Sequence, residues 1–288
     1  MTEYLLAALF GVIEGLTEFL PVSSTAHLRI VKPWCNIPLS DPYWKMFDVV
    51  IQLGAVACLP VYFGPRLFKF VRTFPRGERG DRTILTHPAS LVLIAFACTA
   101  GPLVLVKKLL ETVSENLENL YVIGAALVIG GAVMWAVDAL CTRSKTDHVE
   151  SMSLWQAIWI GLVQTLAAIF PGTSRSMSTI AAGQVAGMSR PAALEFSFFL
   201  SIPTMFVATL YDLYKGVKPG TDHSMLAPAA ISAQQWIALA IGFVVSFVVA
   251  LGVVAWFMHW VRRRGFVQFA IYRIVLGIAV LVYVRTHA

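Results

Sequence analysis

The chain has 288 residues, of which 58% are hydrophobic and only 13% charged. A soluble globular chain carries about 25% charged residues, so this composition excludes an ordinary water-soluble domain and indicates a polytopic membrane protein. The net charge of +6 is no signature of nucleic-acid binding, because the basic residues gather between apolar spans, as cytoplasmic loops do.

Met1-Thr2-Glu3-Tyr4 lacks a basic n-region and a small-residue cleavage site, so no cleaved signal peptide is expected there. Residues 4–32 begin apolar and then turn polar, with Pro21 in the middle. A spanning helix needs about 20 apolar residues, with about 17 as the lower limit, and this stretch falls short. It reads as a re-entrant hairpin: a half-helix in, a polar turn, a half-helix out. Polar backbone at membrane depth is tolerated only inside protein or beside a wet cavity.

Residues 33–46 carry Pro33, Trp34, Pro38, Pro42 and Trp44 and are expected as an aromatic, proline-rich external loop. Spans are then expected at 47–63, 90–106, 119–140, 193–214, 235–260 and 268–284. Loop 64–88 holds Arg66, Lys69, Arg72, Arg76, Arg79 and Arg82 against Glu78 and Asp81, which places it in the cytoplasm. Threading from there makes 107–118 (Lys107, Lys108, Glu111, Glu115, Glu118) an external loop. Arg143 with Lys145, and Arg262-Arg263-Arg264, then fall on the cytoplasmic side. Residues 154–190 repeat the first pattern: apolar to Phe170, then Pro171-Gly172 and a hydroxyl-rich run. They read as a second re-entrant hairpin, opening from the cytoplasm. Loop 215–234, with His223, is external.

The expected fold is therefore an all-α membrane domain spanning 1–288, with six transmembrane helices and two re-entrant hairpins. Each half, 1–140 and 154–288, is one hairpin followed by three spans. An odd number of spans inverts the second half, giving an inverted-topology repeat whose site lies near the midplane. Aligning Pro21 with Pro171 sets Ser23-Ser24-Thr25 over Thr173-Ser174-Arg175. Cys35, Cys58, Cys98 and Cys141 are scattered, with no C-x-x-C pair, and read as small apolar fillers or loop thiols.

Two polar turns carry the chemistry. Glu14 and Glu18, spaced i, i+4, share one helix face. Adjacent carboxylates repel unless a cation or proton lies between them, and oxygen ligands suit Mg²⁺ or Ca²⁺. Ser23, Ser24 and Thr25 follow Pro21, either as helix caps or as reactive hydroxyls. His27 is near enough in sequence to serve one of them as a general base. In the second turn, Gly172-Thr173-Ser174-Arg175-Ser176 resembles an anion cradle. Glycine permits close backbone approach, a helix start points N–H groups at an anion, and arginine grips phosphate bidentately. The partner of Arg175 is a substrate phosphate or one of the two glutamates.

The runs Glu14–His27 (EGLTEFLPVSSTAH) and Pro171–Ser176 (PGTSRS) resemble the two signature regions of the bacterial undecaprenyl-diphosphate phosphatases, the bacitracin-resistance family. Phe47–Gly54, Glu195-Phe-Ser-Phe and Ala270-Ile-Tyr-Arg273 fit as well. The resemblance implies an integral enzyme of the bacterial cytoplasmic membrane, its site open to the outer face. Such an enzyme removes the terminal phosphate of a C55 polyprenyl diphosphate with a divalent cation. It also implies Glu14 and Glu18 as metal ligands, with Glu18, Ser24, His27 and Arg175 catalytic. Ser23, Thr25, Gly172, Thr173, Ser174, Arg175 and Ser176 would bind phosphate. Ala26 and Met177 stand where the family usually has glycine, which bears on substrate fit and not on the reaction. Expected partners are the polyprenyl diphosphate and the bilayer, with a homodimer admitted and nucleic acid excluded. The attacking group is left open between Ser24 and water. The rival function is a lipid-carrier flippase or transporter, since paired hairpins in inverted repeats mark transporters too.

Overall fold

The computed structural model describes residues 2–78, 80–117, 119–217 and 231–287. In chain order the described helices are α1 (Glu3–Thr17), α2 (Ser24–Trp34), α3 (Pro42–Tyr62), α4 (Gly64–Thr73), α5 (Pro88–Leu117), α6 (Leu120–Leu140), α7 (Leu154–Ile169), α8 (Arg175–Val185), α9 (Arg190–Val217), α10 (Ala233–Arg264) and α11 (Val267–His287). No strand occurs among the described residues. Six helices are long and apolar enough to cross a membrane: Pro42–Tyr62, Pro88–Leu105, Leu120–Leu140, Arg190–Tyr214, Ala233–Arg264 and Val267–Thr286. The chain is an all-α, multi-pass membrane protein.

Helix starts follow local chemistry. Asp41 Oδ1 accepts from Trp44 N at 3.1 Å, and Pro42 takes the first helical position of α3, where its missing N–H costs nothing. Ser153 and Gln156 form a capping box on α7, and Ser232 and Gln235 make the same reciprocal pair at α10. Asn119 caps α6 through Tyr121 N.

Three expectations change. Residues 33–46 are not all loop: Pro33 and Trp34 end α2, Pro42 and Trp44 open α3, and Trp44 is buried against Phe10 and Phe47. Residues 107–117 continue α5, because a helix need not end where its hydropathy falls. The basic loop contains α4, whose Phe70 is buried. His223 lies outside the described residues.

The chain forms two compact units: Met1–Phe19, Ser24–Tyr62 and Ser201–Trp256, and Leu20–Ser23, Phe63–Leu200 and Phe257–Ala288. In the first, small residues let helices touch backbone to backbone. A Cβ at Gly11 would lie 2.8 Å from Gly242 O, and one at Gly15 2.8 Å from Ser246 O. This small-xxx-small spacing is the close packing membrane helices use in place of a hydrophobic drive. Ser246 Oγ donates to Ile51 O at 2.7 Å, tying α10 to α3. Lys32, 2% exposed, is neutralised by Asp48 at 2.6 Å. Around these, Phe10, Trp44 and Phe47 form the aromatic centre of the core.

In the second unit α6 and α11 pack through Gly124 and Gly277. Thr99 Oγ1 donates to Gly161 O at 2.8 Å and accepts from Gln164 Nε2 at 3.0 Å, joining α5 to α7. Trp159 Nε1 donates to Ala182 O at 3.2 Å, holding α7 on α8. Two ion-pair centres tie helix ends. Arg66 reaches Glu150 at 2.7 Å and Glu195 at 3.1 Å. Asp138, 2% exposed, accepts from Arg190 Nε at 2.6 Å and from Phe266 N at 3.0 Å.

Candidate active site

α1 supplies the acidic pair. Glu14 lies in its last turn, and Glu18 ends it with φ −63° and ψ −44°, its N–H bonded to Glu14 O at 2.9 Å. Helical geometry therefore continues through Glu18, and residues four apart share a face. Both carboxylates are buried, at 2% and 7% exposure.

Ser24 is the first residue of α2 and is also buried. Its Oγ donates to Glu18 Oε2 at 2.6 Å, at the short end of the range for O–H···O hydrogen bonds. The Ser24 proton is thus directed at Glu18, a partner that spacing alone did not single out over His27. His27 sits three residues further along α2 and is half-buried, whereas Thr25 is exposed. These residues, with Glu14 and Glu18, belong to the first unit.

The second unit holds the phosphate-type run. Gly172 has φ +91°, and a Cβ there would lie 2.9 Å from Ile123 O, so both conformation and space require glycine. Ser174 precedes α8 with φ +70° and caps it, its Oγ accepting from Met177 N at 3.4 Å. Thr173, Ser174 and Arg175 are half-buried. Arg175 opens α8, so the N–H groups of the first turn lie beside it, as in anion sites at helix starts. Ser176 is 1% exposed, and its Oγ donates to Leu20 O at 2.9 Å.

The turn Leu20–Ser23 belongs to this second unit, and the structure brings it together with Gly172–Ser176. Ser23, at φ +72°, immediately precedes α2 as Ser174 immediately precedes α8. Asn36, at φ +58°, is the third described non-glycine residue in the left-handed region, and asparagine tolerates that region; serine there is uncommon, and such strain gathers at functional sites. The matching residues are accordingly Ser23 with Ser174 and Ser24 with Arg175, one position off the proline-based alignment. The first turn has one residue fewer between its proline and its second helix.

Arg273 was not among the site residues drawn from the sequence, although a lone arginine inside an apolar span is a signal in itself. It is 0% exposed on α11. Nη1 donates to Pro21 O at 3.2 Å. Nη2 lies 3.0 Å from Gly172 O, 3.0 Å from Thr173 O and 3.2 Å from Ala126 O.

Two buried carboxylates one turn apart fit a hard divalent cation. They do not complete its shell: among the described residues no group of three or more His, Cys, Asp or Glu could hold a metal ion. An ion on Glu14 and Glu18 would take its remaining oxygens from water and phosphate, the habit of Mg²⁺.

The family model described as Bacitracin resistance protein BacA matches residues 7–279. A protein named undecaprenyl-diphosphatase from Koribacter versatilis (strain Ellin345) is 60% identical over 285 residues, covering 98% of this chain and 99% of that one. Proteins of the same name are similar in Thermus thermophilus, 40% identical over 94% of both chains, and in Rhizobium etli (strain CIAT 652), 39% identical over 97% of this chain and 96% of the relative. The match runs through both polar turns and every candidate site residue, and the chain belongs to the bacitracin resistance protein BacA family.

Proposed function

We propose that the chain is an undecaprenyl-diphosphate phosphatase, hydrolysing the terminal phosphate of a C55 polyprenyl diphosphate and so recycling the lipid carrier of cell-wall synthesis. The observation that carries this reading is the full-length, 60% identity to a protein of that name. The site chemistry supports it: buried carboxylates, a serine with a proton acceptor, and a helix start bearing an arginine.

In this reading Arg175 and the N–H groups at the start of α8 hold the terminal phosphate. Ser23, Thr25, Thr173 and Ser174 supply further donors, and Gly172 lets the backbone close on the anion. Ser24 Oγ attacks the terminal phosphorus as its proton passes to Glu18 Oε2. The bond between that phosphorus and the bridging oxygen breaks, and undecaprenyl phosphate leaves. His27 then takes a proton from the water that attacks the phosphoserine phosphorus; the bond from phosphorus to Ser24 Oγ breaks, Glu18 returns its proton to that oxygen, and inorganic phosphate is released. Glu14 and Glu18 would hold a divalent cation, and its chemistry there would be charge neutralisation for the phosphate oxygens. Ser176 contributes through the turn it closes on Leu20 O.

The enzyme would act in the bacterial cytoplasmic membrane with its site open to the outer face, the two helical pairs α1–α2 and α7–α8 being its re-entrant hairpins. Their shared left-handed serine supports reading 1–140 and 154–288 as an inverted repeat. The test is phosphate release by purified protein in detergent, where no second compartment exists. Release supports the enzyme. Its absence, with lipid transfer retained in vesicles, would favour the flippase instead.

A further inference from the structure

We propose that Arg273 is a positioning residue of this phosphatase: it fixes the turns Leu20–Ser23 and Gly172–Ser174 in register by gripping their carbonyls, and so sets the starts of α2 and α8. The inference rests on the function proposed above.

The partners of Arg273 are carbonyl oxygens, and three of the four belong to the two turns. One planar guanidinium spans both turns, a geometry lysine's single ammonium does not reproduce. A trans peptide points its C=O and N–H in opposite directions. Drawing Thr173 O toward Arg273 therefore turns the Ser174 N–H to the other side, beside the first-turn N–H groups of α8. Drawing Pro21 O the same way fixes the peptide plane two residues before Ser23. Ser23 and Ser174, at φ +72° and +70°, occupy a region that non-glycine residues avoid and that persists only where surroundings impose it. Arg273 bonds to the backbone of both turns, and Ser176 Oγ on Leu20 O adds a second tie. The space for the guanidinium exists because residue 130 is glycine: a Cβ there would meet Arg273 Nη2.

The experiment compares wild type, R273K, S174G, the R273K/S174G double variant and G130A, purified in detergent. It measures phosphate release and, separately, binding of a methylene-bridged prenyl diphosphate that cannot be hydrolysed. Glycine adopts φ +70° at little cost and is a tolerable helix cap. R273K should lower kcat by on the order of 10²-fold, the scale for about 1 Å of misplacement, and weaken analogue binding about tenfold by the same misplacement. In the S174G background both effects of R273K should shrink several-fold, because the conformation no longer needs to be imposed. Effects that multiply independently in the double variant, or a folded R273K with wild-type kcat and binding, would overturn the proposal. Should R273K fail to fold, G130A decides: it displaces the guanidinium while keeping it, and should lose kcat and binding in the same sense. A folded G130A with wild-type values would overturn the proposal. A wild-type protein that binds the analogue but releases no phosphate would remove the phosphatase reading, and the cycle would still be read in binding.

Discussion

Replacing Glu18 by glutamine keeps the shape of the side chain and removes one charge. In the structure Glu18 Oε2 accepts from Ser24 Oγ at 2.6 Å, at 7% exposure and one turn from Glu14. An amide oxygen still accepts that hydrogen bond. Exchanging a charged for a neutral partner costs roughly 1 kcal/mol, and relief of the repulsion with Glu14 offsets part of it. The melting temperature should therefore move by less than about 4 °C. Activity should fare very differently. The amide cannot take the Ser24 proton, and loss of a general base alone costs on the order of 10²–10⁴ in rate. The assay is phosphate release from a prenyl diphosphate by E18Q in saturating Mg²⁺, with a thermal melt of the same sample. An E18Q enzyme within about threefold of wild-type kcat would refute the proton-acceptor argument, since general-base losses are far larger. Equal loss of activity and fold would make Glu18 structural.

S24A should abolish turnover and remove a phosphoserine trappable at acid pH from the wild type; an S24A enzyme that merely raises KM would hand the attack to water. R175K should fail to restore function, because lysine lacks the planar fork that holds two phosphate oxygens; unchanged kcat and KM would show that charge alone suffices. His87 precedes α5, buried against Phe70 and Phe74, its Nδ1 accepting from Ala89 N at 3.2 Å. Burial, and then the charge of Arg82, hold its imidazole below the ordinary 6.5. The unfolded chain thus binds that proton first, so the stabilisation is present above about pH 6.5 and lost as pH falls further; H87Q should flatten this part of the melting profile, and an unchanged slope would contradict the assignment. With Cys35, Cys58, Cys98 and Cys141 replaced, single cysteines at Thr2 and His287 should both react with an impermeant reagent on intact cells; protection of either would overturn the outward orientation.

Much of this molecule is legible in its sequence because membrane helices are selected by length and apolarity, which are local properties. The six spans appear where apolar runs reach 17 residues or more, and their ends drift where polar residues stay helical, as at 107–117. Pro42 looked like a loop marker and is a helix-start residue, which carries Trp44 into the core. The i, i+4 spacing places Glu14 and Glu18 on one face without knowledge of any other element. The Ser24–Glu18 bond could not be read the same way, since it depends on how the five residues between them fold back. Nor could the grip of Arg273 on Pro21 and Gly172, residues 252 and 101 positions away. Sequence marks such an arginine as costly at membrane depth, but only the fold names the carbonyls that hold it.

The account stands most directly on one measurement: product analysis after incubating purified protein in detergent with undecaprenyl diphosphate, with Mg²⁺ or Ca²⁺ present, chelated and restored. One inorganic phosphate and one undecaprenyl phosphate should appear for each diphosphate consumed, turnover should stop with the chelator and resume with the ion, and E14Q and E18Q should stay inactive throughout. Intact diphosphate under every condition, from protein that remains folded and binds the lipid, would contradict it.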